Sequence, residues 1–204
     1  ESGVPLLVAP LDSTADLLDV VEGRKAGSLY TRYGLNPTLF SLEEKLAAVE
    51  GAEAAWVFSS GMAAEASLFF AHGRKGVVCI GDAYGGTLEL LSSQLPELGI
   101  PTYFLLGSEL DGLKTYLEAG ASLLFFEPPT NPPLAVLDIR KISDMAHEYG
   151  ALVAVDNTFA SPVNQSPLAL GADFVVHSAT KYLGGHSDIT AGALMGSKHL
   201  LASV

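Results

Sequence analysis

Short apolar segments alternate with stretches of helical pattern along the chain, and this order constrains the fold more than any other feature. Segments typical of buried strands lie at Ala54 to Val57, Val77 to Ile80, Thr102 to Leu106, Leu123 to Phe126, Ala151 to Val155, Phe174 to Val176 and Ala191 to Met195. Helical patterns separate several of them, at Gly86 to Leu98, Leu110 to Glu118 and Ile139 to Tyr149. Such alternation predicts an α/β fold with a mostly parallel sheet covered by helices.

The segment before the first strand has its own local signals. Ser41-Leu42-Glu43-Glu44 has the spacing of a capping box, which predicts that a helix begins there and ends at Gly51. Residues before Tyr30 lack strong hydrophobic periodicity, which predicts an extended arm. No repeat, low-complexity tract or internal linker interrupts the sequence.

A lysine stands where a reactive group is expected. Lys181 follows the predicted strand that ends at Val176, has Ser178 and Thr180 just before it and leads into a glycine-rich turn. Hydroxyl groups can bind phosphate oxygens, and glycines let the backbone approach a ligand closely. This pattern suits a lysine that forms a Schiff base with pyridoxal phosphate (PLP). A lone lysine at a strand end is more often a surface residue. Only the other motifs of the sequence, taken with Lys181, favour the Schiff-base lysine over this alternative.

A carboxylate lies at the end of the preceding strand. Asp156 follows Ala151 to Val155, and ligands of open α/β sheets bind beyond the carboxyl ends of the strands. A buried aspartate needs a charged partner to stay ionised, and a protonated pyridine nitrogen is such a partner. A turn or N-cap aspartate is the competing interpretation of Asp156 taken alone.

Two further turns have the composition of ligand-binding loops. Ser60-Gly61-Met62 opens an alanine-rich helix, whose first N–H groups lack partners and can bind an anion. A plain N-cap serine is the commoner alternative. Tyr84 lies in a glycine-rich turn, where its ring either stacks on a flat cofactor or packs against the protein. A Walker lysine and a G-x-G-x-x-G run are both absent, so nucleotide-binding interpretations lose their main support.

Composition excludes several classes of partner. The formal net charge of -12 disfavours nucleic acid and anionic membrane surfaces. The single cysteine, Cys79, lies in an apolar run, which predicts that its thiol is buried. Because the sequence has one cysteine, an intrachain disulfide is impossible. Pro5 to Pro10 is apolar but short and lacks basic residues, so we predict neither a signal peptide nor a membrane span. We therefore predict a cytoplasmic location. His177, His186 and Asp188 lack a further spaced ligand set, and no metal is expected.

Taken together, these motifs resemble the PLP-dependent Cys/Met metabolism family of cystathionine γ-synthases, cystathionine lyases, methionine γ-lyase and O-acylhomoserine sulfhydrylases. The resemblance covers most of the chain and rests on several ordered motifs: Tyr30 to Thr38, Ser60-Gly61-Met62, Tyr84-Gly85-Gly86-Thr87, Pro129-Thr130-Asn131-Pro132, Val155-Asp156-Asn157-Thr158 and Ser178 to Asp188. It implies the fold type I of PLP-dependent transferases, which is aspartate aminotransferase-like, with pyridoxal 5'-phosphate as the cofactor.

The resemblance also implies roles for individual residues. Lys181 would form the Schiff base, Asp156 would pair with the pyridine nitrogen, and Tyr84 would stack on the ring. Lys181 and Tyr84 are therefore the expected catalytic residues. The expected cofactor-binding residues, of which Tyr30 and Arg32 would reach in from a neighbouring subunit, are Ser60, Gly61, Met62, Tyr84, Asn131, Asp156, Thr158, Ser178, Thr180, Lys181, Tyr30 and Arg32.

The activity implied is that of a C–S lyase acting on cysteine, cystathionine or a related sulfur amino acid by β- or γ-elimination. Cystathionine γ-synthase or O-acylhomoserine sulfhydrylase activity, by γ-replacement, is the alternative. A lyase domain acting on a carrier-linked cysteine adduct and a non-catalytic PLP-binding module also stay open. Gly86 stands where methionine γ-lyases carry a cysteine, which argues against a dedicated methionine γ-lyase. The expected assembly is a homodimer or homotetramer with active sites shared between subunits.

The arginines suggest how much of the enzyme this sequence contains. Relatives bind the substrate carboxylate through an arginine of a C-terminal domain, whereas the arginines here are Arg24, Arg32, Arg74 and Arg140. We therefore expect residues 1–40 to form an arm that contributes to a neighbouring active site and residues 41–204 to form the PLP-binding large domain. A C-terminal domain would complete the catalyst.

Overall fold

The first compact unit contains a helix where the sequence predicted an extended arm. The computed structural model describes residues 13–22, 24–25, 27 and 36–204, and the chain divides into the units Glu1–Lys45 and Leu46–Val204. Helix α1 (Thr14–Val21) begins after Ser13, whose Oγ accepts a hydrogen bond from the Asp16 N–H at 3.1 Å. The extended-arm prediction is wrong for these residues, because a capping serine with an acidic first turn stabilises even a short helix.

Helix α2 (Pro37–Glu50) begins four residues before the predicted start at Ser41. The Oδ1 of Asn36 accepts a hydrogen bond from a backbone N–H three residues later, at 2.9 Å, and Pro37 occupies the first helical position that proline favours. Ser41 therefore lies inside the helix, and the capping-box prediction is wrong. The predicted end is confirmed, since Gly51 follows with a φ of +70°.

Seven strands form one sheet in the second unit, and each lies within one residue of the predicted bounds. They are β1 (Ala54–Phe58), β2 (Val77–Ile80), β3 (Thr102–Leu105), β4 (Leu123–Phe126), β5 (Leu152–Asp156), β6 (Phe174–His177) and β7 (Gly192–Gly196). Their order is β1-β7-β6-β5-β4-β2-β3, in which β7 runs antiparallel to both neighbours and the remaining pairs are parallel. The predicted fold class is confirmed.

Helices cover both faces of the sheet. They are α3 (Gly61–His72), α4 (Gly85–Glu89), which continues through a π-helical turn (Leu90–Gln94) into α5 (Leu95–Glu97), α6 (Leu113–Glu118), α7 (Ile139–His147), α8 (Ser161–Asn164) and α9 (Lys198–Leu201). Alternate residues of the central strands enter two apolar clusters, with Phe125 packed on Phe69 of α3 and Phe126 in the cluster that includes Ile142 of α7. Among the described residues no helix has the length and apolar character needed to cross a bilayer.

Strand register brings the polar ends of the central strands together. Phe126 lies opposite Val155, and Asp156 lies opposite Val176. Because β4, β5 and β6 are parallel, their carboxyl ends meet at one edge of the sheet, the edge at which ligands of open α/β sheets bind.

Candidate active site

A cavity of about 340 Å³ opens beyond the carboxyl ends of β4, β5 and β6. Ten of the twelve predicted cofactor-binding residues line it, namely Ser60, Gly61, Met62, Tyr84, Asn131, Asp156, Thr158, Ser178, Thr180 and Lys181. Tyr30 and Arg32 lie outside the described residues. The sequence did not predict the other lining residues, which are Glu65, Glu127, Pro129, Phe159 and Thr190.

One wall of the cavity is the beginning of α3. Ser60 is the N-cap in an extended conformation, and its Oγ accepts a hydrogen bond from the Ala63 N–H at 3.1 Å. Ser60 therefore has the N-cap role that the sequence left open for it. Because the helix begins at Gly61, the N–H groups of Gly61 and Met62 have no intrahelical acceptors and are available to an anion at the positive end of the helix dipole.

Glycines allow this wall to form. A Cβ on Gly61 would lie 3.0 Å from the Cα and Cβ of Ser178, so the start of α3 packs directly on the end of β6. A Cβ on Gly192 of β7 would lie 2.0 Å from the backbone oxygen of Ser60. We call Ser60, Gly61, Met62, Ser178 and Gly192 the glycine-lined cradle. Its shape depends on backbone approaches that a side chain would prevent.

Lys181 enters the cavity from a turn that hydrogen bonds fix at both ends. The Lys181 N–H donates to the Ser178 carbonyl at 3.0 Å, and the Lys181 carbonyl accepts from the Gly185 N–H at 2.8 Å. Thr180 closes the base of the turn, since its Oγ1 donates to the Ala191 carbonyl at 3.1 Å and accepts from the Ala191 N–H at 3.0 Å. The amine is thus presented from a fixed backbone.

Asp156 ends β5 and is only 9% exposed. Its Oδ1 accepts a hydrogen bond from the Thr158 N–H at 2.7 Å, and the Thr158 Oγ1 accepts one from the Ser178 N–H at 2.8 Å. Burial raises the pKa of Asp156, while the hydrogen bonds of Thr158 and the nearby His177 act in the opposite direction. A cationic group bound in the cavity would favour the ionised form of this carboxyl.

Two more carboxyl groups lie beside Asp156, and we call the three residues the acid cluster. Glu127 follows β4, its carboxylate accepts the Tyr84 N–H at 2.8 Å, and burial together with Asp156 raises its pKa to about 7. Glu65 lies on α3, and its Oε2 accepts the Thr87 hydroxyl at 2.7 Å. Burial, followed by Asp156, raises the pKa of Glu65 well above its ordinary value.

Sequence reasoning missed these two glutamates for different reasons. Glu127 directly follows a buried strand, so the strand-end rule that identified Asp156 would have identified it too. Glu65 is four residues after Gly61, on the helix face that meets the cavity, which only the placement of α3 reveals.

Tyr84 lies at the open side of the cavity and is 55% exposed. A Cβ on Gly86 would lie 2.7 Å from the Tyr84 Cε1, so the glycine gives the ring its room. Asn131 follows Thr130, whose Oγ1 accepts the Ala135 N–H at 3.0 Å and closes the turn that carries Asn131.

A buried hydrogen-bond network supports the strand ends from behind. The Glu50 Oε1 accepts from the His177 Nε2 at 2.5 Å and from the Asn157 Nδ2 at 2.9 Å. The Gln165 Nε2 donates to the Asn157 Oδ1 and to the Pro128 carbonyl, both at 2.9 Å. Glu50 thus links the ends of β5 and β6, and Gln165 links Asn157 to the loop after β4. These three segments carry Asp156, Lys181 and Asn131.

The described residues contain no group of three or more His, Cys, Asp or Glu side chains placed to hold a metal ion. Cys79 is a free, buried cysteine, as predicted, and burial raises the pKa of its thiol to about 12. Its position in the core of β2 makes it a packing residue.

Comparison with known proteins identifies the family. Residues 8–203 match the family described as Cys/Met metabolism PLP-dependent enzyme. The chain is 44% identical to cystathionine gamma-synthase 1, chloroplastic, of Arabidopsis thaliana, over 94% of this chain and 34% of the relative. It is 47% identical to cystathionine beta-lyase of Lactococcus lactis subsp. cremoris (strain MG1363), over 85% of this chain and 46% of the relative.

A solved structure agrees with both relatives. It is a protein from Campylobacter jejuni assigned as an O-acetylhomoserine (thiol)-lyase, with a pyridoxyl-lysine monophosphate, and it matches with a TM-score of 0.88 and 31% identity over 98% of this chain and 50% of that one. The chain spans half or less of the length of these three proteins. Its sequence and fold together show that the chain belongs to the Cys/Met metabolism family of PLP-dependent enzymes.

Proposed function

We propose that this chain is the cofactor-binding part of an enzyme that cleaves the C–S bond of cysteine, cystathionine or a related sulfur amino acid by β- or γ-elimination. The observation that carries the proposal is that Lys181, Asp156 and the glycine-lined cradle meet in one cavity. Each feature alone has an ordinary structural explanation. Their convergence combines an amine, a buried carboxyl and an anion site in one cavity of about 340 Å³, a size that suits one small cofactor.

The residues present fit PLP. The free N–H groups of Gly61 and Met62, with the hydroxyl of Ser178, suit its phosphate, whereas the hydroxyl proton of Thr180 is donated to the Ala191 carbonyl. Asp156 suits a protonated ring nitrogen, because a cation at that position offsets the burial that raises the pKa of this carboxyl. When bound, PLP supplies an electron sink for a negative charge at the substrate α carbon.

The side chains of the chain itself then orient the reactants and move protons. Lys181 would take the proton from the substrate α carbon as a general base, from a turn whose backbone is held by hydrogen bonds. Tyr84 would cover one face of the ring and limit the entry of water from the open side of the cavity. Asn131 would hold the substrate carboxylate together with a group from outside this chain.

Replacement at the γ carbon is the alternative activity. It needs the same amine, carboxyl and cradle, and the names of the relatives favour it as much as elimination: one is a cystathionine gamma-synthase and another a cystathionine beta-lyase. The residues that choose between the two reactions act on the substrate side chain, so the motifs of the cofactor site do not separate them.

We also propose that the active site is completed by other parts of the assembly, a homodimer or homotetramer. Among the described lining residues Lys181 is the only lysine or arginine, which leaves the charge of a bound phosphate and of a substrate carboxylate without a dedicated cation. Tyr30 and Arg32 of a neighbouring arm, residues 1–40, would serve the phosphate, and a C-terminal domain would serve the carboxylate. A cytoplasmic location stays a prediction, since the Arabidopsis relative is named as chloroplastic.

A substrate comparison on the complete protein tests the activity. The PLP-loaded protein is incubated with cystathionine, cysteine or O-acylhomoserine, with and without an added thiol, while keto acid, ammonia and thiol are measured. Elimination predicts keto acid and ammonia from cystathionine or cysteine alone, whereas replacement predicts product only when both substrates are present. Lys181→Ala is the control, and it should lose both turnover and the reducible covalent link to PLP. Turnover by this variant equal to that of the wild type would contradict the assignment of Lys181.

A further inference from the structure

Glu65 is a cavity-lining side chain that the proposed chemistry does not use. It lies on α3 four residues after Gly61, is only 3% exposed, and lines the same cavity as Asp156 and Lys181. Glutamate is rarely buried without a partner, because removing a charge from water is costly. Its burial here calls for a specific role.

One carboxyl oxygen of Glu65 has a partner and the other does not. Oε2 accepts the hydroxyl proton of Thr87, which is fully buried, at 2.7 Å. Oε1 makes no hydrogen bond within the described part of the chain. Since Glu65 lines the cavity, a bound molecule is the partner that Oε1 can still reach.

The surroundings of Glu65 determine its charge. Asp156 at the end of β5, Glu127 after β4 and the Cys79 thiol of β2 interact with it electrostatically, and Lys181 and Tyr84 line the same cavity. Burial is the largest effect on its pKa and Asp156 the next, and both raise it. Both effects favour the protonated form of this carboxyl. Because Thr87 donates to Oε2, an acid proton would lie on Oε1, the oxygen without a partner among the described residues.

We propose that Glu65 is an additional cofactor-binding residue, a neutral carboxylic acid whose Oε1 donates a hydrogen bond to an acceptor atom of bound PLP. Glu65 and Asp156 have different roles in this proposal because their surroundings differ. Asp156 accepts a hydrogen bond from a backbone N–H and has His177 nearby, so it is suited to be the ionised partner of a cation. Glu65 receives only a neutral hydroxyl, so it is suited to donate. The inference rests on the proposed PLP site and adds a residue to it.

Affinity for PLP, measured by visible absorbance on the complete protein and independent of turnover, tests the proposal. Glu65→Leu removes the donor, and we expect PLP to bind about tenfold more weakly. Glu65→Gln keeps an N–H donor in nearly the same shape, and its affinity near pH 7 should stay within about threefold of the wild type. Glu89→Gln is the matched control on the exposed surface of α4, and it should leave affinity unchanged.

The pH dependence separates a neutral acid from a structural role. As pH rises through the raised pKa of Glu65, the acid loses its proton and its donor, so wild-type affinity should fall, while Glu65→Gln should lack this component. Burial and Asp156 also raise the pKa of Glu127, to about 7, so Glu127→Gln and the double variant isolate the contribution of Glu65.

Three outcomes would overturn the proposal. Affinity of Glu65→Leu equal to that of the wild type would mean that there is no contact, and an equal loss in Glu65→Gln would mean that an ionised carboxylate is required. If PLP affinity depends on pH in the same way in the wild type and in Glu65→Gln, Glu65 does not titrate over the pH range measured. If Glu65→Leu fails to fold by circular dichroism, the Glu65→Gln profile decides alone. A wild-type protein that does not bind PLP would instead overturn the cofactor site itself.

Discussion

The two sides of the cavity are built by different means. The glycine-lined cradle uses backbone N–H groups and close backbone approaches, with Gly61 and Gly192 leaving room that a Cβ would fill. The acid cluster instead brings three carboxyl side chains from α3, from the loop after β4 and from the end of β5 into one buried place. The cradle is therefore fixed by sterics, and the acid cluster by the balance of protons and charge. Substitutions on the two sides should fail in correspondingly different ways.

The largest effect is expected in the cradle. Gly192→Ala would place a Cβ 2.0 Å from the backbone oxygen of Ser60, so either β7 or the start of α3 must move. We expect PLP affinity to fall by tenfold or more and the protein to lose about 1–3 kcal/mol of stability, the usual cost of overpacking. Calorimetry and PLP titration measure the two effects.

Gly85→Ala is the control for this substitution. A Cβ on Gly85 meets nothing within 4 Å, and it lies at the start of α4. It should fold and bind PLP like the wild type. If Gly192→Ala does the same, the steric account of the cradle is wrong.

A smaller effect is expected in the acid cluster, where a substitution should lower activity but leave folding nearly unchanged. Asp156→Asn keeps the size of the side chain but loses the charge that would face a protonated ring nitrogen. A charge-assisted hydrogen bond contributes about 1.5–3 kcal/mol, so kcat/KM should fall by about tenfold to hundredfold. Folding should change little, because burial already raises the pKa of Asp156 and the neutral amide suits a buried position. A folded variant with wild-type turnover would contradict the electron-sink role.

The network behind the strand ends gives the next test. Glu50→Gln keeps an oxygen for His177 and Asn157 but removes the buried charge between them. We expect a loss of about 1–3 kcal/mol in the free energy of unfolding and a weaker PLP site, because the two hydrogen bonds that hold the ends of β5 and β6 lose the charge that strengthens them. Glu44→Gln, on the exposed side of the same helix, should stay within about 0.5 kcal/mol of the wild type. Equal stability of both variants would show that Glu50 does not anchor the strand ends.

The contrast between the cradle and the acid cluster also explains which parts of the fold and of the site could be predicted from the sequence alone. All seven strands were predictable, because buried parallel strands are short apolar runs bounded by turns. The part of the cradle at the start of α3 was predictable too, since Ser60, Gly61 and Met62 are contiguous and Ser60 sits where an N-cap must be, whereas the close approach of Gly192 to Ser60 follows only from the fold. The acid cluster was only partly predictable. Asp156 follows a strand and could be identified from the sequence, whereas the role of Glu65 depends on the side chains that folding brings near it.

Helix starts in the first part of the chain were harder to predict. Ser41-Leu42-Glu43-Glu44 satisfied the capping-box pattern, yet Asn36 and Pro37 provide an earlier start and the helix takes it. Helix α1 is short and has little periodicity to detect, and Ser13 fixes it through a single local cap. Local patterns show where a helix can begin, whereas competing caps upstream determine where it does begin.

The smallest effect, at most about 1.4 kcal/mol for each pH unit, is a pH dependence of stability that comes from the acid cluster. Burial and Asp156 raise the pKa of Glu127 from an ordinary value of 4.5 to about 7. Between these values the folded protein without PLP binds more protons than the unfolded chain, so stability falls as pH rises. The fall begins above pH 4.5 and levels off above about pH 7, with a total of at most about 3 kcal/mol for this group.

Glu127→Gln should reduce this slope. The amide oxygen can still accept the Tyr84 N–H, so the loop keeps its hydrogen bond while the titration is lost. Urea unfolding of the PLP-free protein at pH 5, 6, 7 and 8 measures the slope, and Gly192→Ala should keep the wild-type slope at a lower stability. A wild-type slope in Glu127→Gln would show that the carboxyl does not titrate in this range. A changed slope in Gly192→Ala would show that the cradle and the acid cluster do not act separately.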